Sequence, residues 1–187
     1  VEHRLVTVFG GAEPTADEPA YLEAMLLGSL LAKAGYILQT GGYIGTMEAA
    51  SRGAVEAGGH VIGVTCDEIE AWRPVRPNRW VIEERRFPTL RQRLYALVDS
   101  CAAALALPGG IGTLSEVAVM WSQMQTRASA PRPLILVGPQ WQAVLETFYT
   151  GLGRYIKPAD WKLLYFSPEA AAAVDVLKTL LPSRLSG

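Results

Sequence analysis

Apolar residues gather in short runs along this chain, at Leu5–Phe9, Tyr36–Gln39, His60–Val64, Ala102–Leu107 and Pro133–Val137, with a weaker run at Lys162–Phe166. Near-continuous Val, Ile, Leu and Ala over so few positions fits strands buried on both faces. Between the runs, apolar positions return at i, i+3 and i+4, which lines them along one side of a helix. Leu22, Met25, Leu26 and Leu30 carry that spacing within Tyr21–Ala34, where Ala34-Gly35 supplies the stop. Helical spacing also covers Thr46–Ala57, closed by Gly58-Gly59, and then Leu90–Ser100, Thr113–Gln125, Trp141–Leu152 and Pro168–Leu181.

Strands alternating with helices predict an α/β fold: a doubly wound parallel sheet with helices on both faces and right-handed crossovers. Ligands of such sheets sit beyond the carboxyl ends of the strands, near the point where strand order reverses. Two glycine loops, at 41–45 and 109–112, follow strands and fall on that edge. Asp67–Pro88, rich in Pro, Arg and Trp, has no clear period and reads as a long irregular connection.

The 187 residues are half apolar and 19% charged, which suits one domain spanning 1–187. A net charge of −1 and the lack of any long apolar stretch point away from nucleic-acid and membrane partners. Val1–Arg4 leads straight into a strand-like run with no apolar leader, and a cytoplasmic location is expected. Cys66 and Cys101 lie far apart, and the histidines are His3 and His60, so neither a metal nor a disulfide is expected. None of the four lysines lies in a glycine loop, and the nearest, Lys33, stands eight residues before Gly41, which disfavours Schiff-base chemistry.

Pro108-Gly109-Gly110-Ile111-Gly112-Thr113-Leu114-Ser115-Glu116 joins a strand to a helix through glycines. Glycine permits positive φ and close approach, and a helix N-terminus offers unpaired N–H groups to an anion, so a phosphorylated ligand is predicted at Gly109, Gly110, Ile111, Gly112 and Thr113. Gly41, Gly42, Gly45, Thr46 and Met47 form the second wall of the expected crevice. Neither loop is a G-K-[ST] P-loop or a G-x-G-x-x-G turn. Glu116 has two readings: the carboxylate of a capping box started by Thr113, or a group that stabilises a cationic transition state. Seven arginines fall between Arg73 and Arg93, and most should pair with neighbours such as Glu83 and Glu84. Arg91 and Arg93 open a helix-like segment, and one of them, Arg93 foremost, is the candidate anion clamp. Trp72, Trp80 and Trp121 could stack on a base or pack in the core.

The stretch Pro108–Glu116 resembles the P-G-G-x-G-T-x-x-E signature of the LOG family, cytokinin-activating nucleoside 5′-monophosphate phosphoribohydrolases once described as possible lysine decarboxylases. Val6–Gly11, Gly41–Met47 and His60–Val64 are similar to that family's first strand and turn, its G-G-x-x-G-x-M loop and its H-V-I-G-V strand. Arg93 stands fifteen residues before Pro108, the place of the family's catalytic arginine, and Glu116 falls on its catalytic glutamate. Arg91, Leu94, Val119, Trp121 and the turn Gly10-Gly11-Ala12-Glu13 depart from the family's pattern. The resemblance implies a Rossmann-like homodimer or higher homo-oligomer that needs no metal or organic cofactor. It also implies hydrolysis of AMP or an N6-modified AMP to free base and ribose 5-phosphate, with Arg93 and Glu116 catalytic. A non-catalytic carrier of a nucleotide or phosphorylated cofactor would use the same crevice.

Overall fold

The computed structural model describes residues 5–182; Val1–Arg4, His3 among them, and residues 183–187 lie outside the described residues. Seven parallel strands form one sheet: β1 (Leu5–Phe9), β2 (Ile37–Thr40), β3 (Val61–Cys66), β4 (Glu83–Phe87), β5 (Ala103–Ala106), β6 (Leu134–Val137) and β7 (Leu164–Ser167). Their order is β4-β3-β2-β1-β5-β6-β7. Register is fixed on both sides of β1, with Thr7 opposite Gln39 and Ala104. The chain winds outward from β1 to β4 and then returns to the far side of β1, so the order reverses between β1 and β5.

Alternation along the strands divides the core in two. Val6, Val8, Leu38, Leu105 and Ile135 face α1 (Pro19–Lys33), α2 (Thr46–Glu56) and α8 (Ala170–Leu180). Leu5, Phe9, Val64, Ala106 and Leu136 face α4 (Leu90–Asp99), α5 (Ile111–Gln125) and α6 (Pro139–Leu152). Two short helices complete the set, α3 (Asp67–Trp72) and α7 (Pro158–Trp161). None of the described helices is long and apolar enough to cross a membrane.

Asp67–Pro88 is not irregular: it carries α3 and the edge strand β4. An edge strand is covered on one side only and is often charged, which discourages pairing with another chain, so Glu83-Glu84-Arg85-Arg86 shows no apolar run. Most of the arginines here are paired. Arg85 Nε lies 2.7 Å from Glu83, and Arg86 bridges Asp67, Glu70 and Glu84. Cys66 and Cys101 are buried free thiols.

Candidate active site

The reversal between β1 and β5 sends the two following loops to opposite faces of the sheet and opens a crevice between them. A cleft of about 570 Å³ lies there, bounded by Gly10–Pro14 after β1, by Pro108–Thr113 after β5 and by Tyr43 and Met47 after β2. Ile69, Trp72 and Arg73 of the α3 segment form a further wall, and Arg93 and Glu116 line the interior. The loop after β1, including the exposed Glu13, is not among the expected walls, whereas the α3 segment enters the sequence reading only through Trp72, which could stack on a base. Gly10-Gly11 directly behind the central strand was the available signal for the first of these.

Helix α5 starts at Ile111, with Gly110 as N-cap in an extended conformation (φ −88°, ψ −152°). Leu114 N–H bonds Gly110 O at 3.0 Å, so the N–H groups of Ile111, Gly112 and Thr113 have no main-chain acceptor among the described residues. This start lies three residues earlier than the capping-box reading of Thr113 and Glu116 requires. Glu116 therefore sits in the second turn, beyond reach of the N-cap N–H, and its oxygens accept no hydrogen bond from a described residue. Gly109, Gly110 and Gly112 do not adopt positive φ, contrary to expectation. A Cβ at Gly110 or Gly112 would meet open space, whereas one at Gly109 would strike Thr113 Oγ1.

Glu116 is only 8% exposed. Burial pushes its carboxyl up from 4.5 to about 7, against the pull of the nearby Arg93 charge. Arg93, on the first turn of α4 behind the N-cap Thr89, is 6% exposed. Its Nε donates to Val64 O at 2.8 Å and its Nη2 to Gly41 O at 3.0 Å. Nη1 is left to face Glu116 Oε1 at 3.8 Å, and the guanidinium lies 5.6 Å from the centre of the Tyr43 ring. Arg93 is thus a fixed charge beside Glu116. Arg91, also on α4, lines a separate depression with Arg85 and Tyr95.

The first glycine loop reaches the cleft only through Tyr43 and Met47. Gly42 and Gly45 have positive φ, at 78° and 73°. A Cβ at Gly45 would strike Gly11 O and Ala12. The N–H and hydroxyl of Thr46 both donate to Gly11 O, at 2.9 and 3.0 Å, so Thr46 ties this loop to the turn after β1. Gly41 leaves the room that the Arg93 guanidinium and Met47 Sδ occupy. Of the candidate tryptophans, Trp72 borders the cleft, Trp80 lies against Arg79, and Trp121 packs on Trp161 while donating to Asp160 O at 2.8 Å. Among the described residues, no group of three His, Cys, Asp or Glu could hold a metal ion.

This chain is similar to known proteins in sequence and in fold. A family model described as possible lysine decarboxylase matches residues 47–177. A probable cytokinin riboside 5′-monophosphate phosphoribohydrolase of Oryza sativa is 26% identical over 96% of this chain and 73% of its own length. The pyrimidine/purine nucleotide 5′-monophosphate nucleosidase of Escherichia coli is 33% identical over 77% of this chain, though the match covers 34% of that longer protein. Among solved structures, the molybdenum cofactor carrier protein of Chlamydomonas reinhardtii superposes with a TM-score of 0.72 at 29% identity, covering 96% of this chain and 98% of the carrier. The family match over most of the chain, together with a glycine-lined crevice at the sheet's reversal point, makes this protein a divergent member of the LOG family, whose model carries the possible lysine decarboxylase description.

Proposed function

We propose that this protein hydrolyses the N-glycosidic bond of a nucleoside 5′-monophosphate, releasing free base and ribose 5-phosphate. The observation that carries this reading is Glu116: a buried carboxyl group with no hydrogen-bond partner among the described residues, beside a fixed guanidinium, one turn beyond an open helix N-terminus. The N–H groups of Ile111, Gly112 and Thr113 and the Thr113 hydroxyl hold the 5′-phosphate, with the helix dipole favouring the anion.

Cleaving the C–N bond sends its electron pair to the base and leaves positive charge on the ribose ring. Ionised Glu116 stabilises that cation and accepts a proton from the attacking water, whose oxygen bonds the anomeric carbon, while the departing base takes up a proton from solvent and Glu116 returns its own to solvent afterwards. Arg93 keeps part of Glu116 ionised near neutral pH despite its burial. It does so as a positioning charge, since two of its donors are committed to Val64 O and Gly41 O.

Names of the relatives make AMP and N6-modified AMP the first substrates to try, with pyrimidine nucleotides next. The carrier neighbour supports a second reading, in which the same cleft holds a phosphorylated cofactor without turning it over. Chromatographic detection of free base from a panel of 5′-monophosphates and matched nucleosides separates the two. Release from monophosphates alone supports the hydrolase; a ligand-raised melting temperature without release supports the carrier. We also propose a homodimer or higher homo-oligomer, because exposed Leu114, Val144, Phe148 and Tyr155 surround an apolar groove between α5 and α6. Light scattering on the purified chain tests this.

A further inference from the structure

Phosphate and reaction centre account for one side of the cleft, and the α3 wall opposite has no part in that chemistry. Trp72 is 79% exposed there. An indole so exposed on a cleft wall is a stacking surface open to a ligand. The other described tryptophans are occupied elsewhere; Trp141, for example, is buried and donates to Leu107 O. Beside Trp72 lies Arg73, whose Cζ is 5.6 Å from the ring centre. Arg73 makes no ion pair among the described residues, and its Nε is buried with no hydrogen-bond partner there.

This wall is braced. Asp67 lies 2.7 Å from Arg86 Nε, and Glu70 accepts two bonds from the same guanidinium at 2.8 and 3.0 Å. Glu68 accepts from Leu90 N–H at 2.7 Å, which ties α3 to the first turn of α4, the turn that carries Arg93. Stacking surface and reaction centre are therefore held in a fixed relation.

Building on the nucleotide reading above, we propose that Trp72 and Arg73 form the base-recognition wall. The indole stacks on the planar heterocycle of the nucleoside monophosphate, and Arg73 donates to a ring nitrogen or oxo group on its edge. Arginine offers donors only, so the edge it meets must be an acceptor. With phosphate at the start of α5 and ribose at Glu116, the base is the part left to reach α3.

Calorimetric titration of AMP and of ribose 5-phosphate into the Glu116→Gln protein, which binds without turnover, tests the wall. Adding Trp72→Ala should weaken AMP about 10- to 100-fold and leave ribose 5-phosphate unchanged. Trp72→Phe should restore AMP binding to within about threefold, because a phenyl ring still stacks. Unchanged AMP affinity in Trp72→Ala, or equal weakening of both ligands, overturns the wall while leaving the phosphate site standing. Failure of the Trp72-intact protein to bind either ligand overturns the nucleotide reading and the wall with it.

Discussion

The two glycine loops look alike as sequence, Gly41-Gly42-Tyr43-Ile44-Gly45-Thr46 and Gly109-Gly110-Ile111-Gly112-Thr113, yet they behave as opposites. The first is buried apart from Ile44, holds two glycines at positive φ, and spends both donors of Thr46 on Gly11 O. The second is exposed from Gly109 to Gly112, holds no glycine at positive φ and leaves three N–H groups without a main-chain acceptor among the described residues. One loop is a brace that places Arg93 and the turn after β1; the other lines the open cleft, where we propose that the ligand binds. Glycine is needed in the first for close packing within the protein and in the second for approach by something outside it.

The largest effect expected from this contrast is at Gly45. Gly45→Val puts a branched side chain at positive φ and into Gly11 and Ala12, and should cost about 4 kcal/mol or more in urea unfolding. Gly110→Val, facing open space, should change stability by less than about 0.5 kcal/mol. Equal losses would erase the contrast.

Next comes Glu116 on the ligand side. Its carboxyl titrates near 7 in the fold and near 4.5 without it, so the folded state holds the proton longer and loses stability as pH rises between these values. Glu116→Gln should therefore be more stable than the parent at pH 8, by at most about 3 kcal/mol, with the gain gone by about pH 4. Thermal melts at both pH values check this. A smaller effect is expected at Thr46: Thr46→Val removes the hydroxyl bond to Gly11 O, costs about 1 kcal/mol and leaves phosphate affinity of the folded protein intact. Gly112→Ala, opposite in sign, should gain up to about 1 kcal/mol from helix propensity while weakening phosphate binding, because the new methyl group enters the anion wall.

The parallel sheet was legible because its central strands are continuous apolar runs, and the helices because their apolar stripes end at Gly35 and Gly58, both at positive φ. The edge strand β4 escaped notice since Arg86 and Glu84 replace an apolar pattern, their partners lying on α3 and β3. The true start of α5 was hidden by Ile111-Gly112, a weak opening for a helix. Glu116 could be singled out from its place just after the glycine motif, and Arg93 from its place at the start of a helix together with the family resemblance. The use of Arg93 Nε and Nη2 on distant carbonyls could not, because those contacts span 29 and 52 residues. Gly10–Pro14 and Trp72-Arg73 reach the cleft only through the strand order, which no local pattern encodes.

The most direct test is the rate of base release from nucleoside 5′-monophosphates as a function of pH, for the parent and for Glu116→Gln. Release from monophosphates but not from nucleosides, with kcat/KM rising through about pH 7 and falling about 100- to 1,000-fold in Glu116→Gln, is the predicted result. No release from any monophosphate, or full activity in Glu116→Gln, would contradict it.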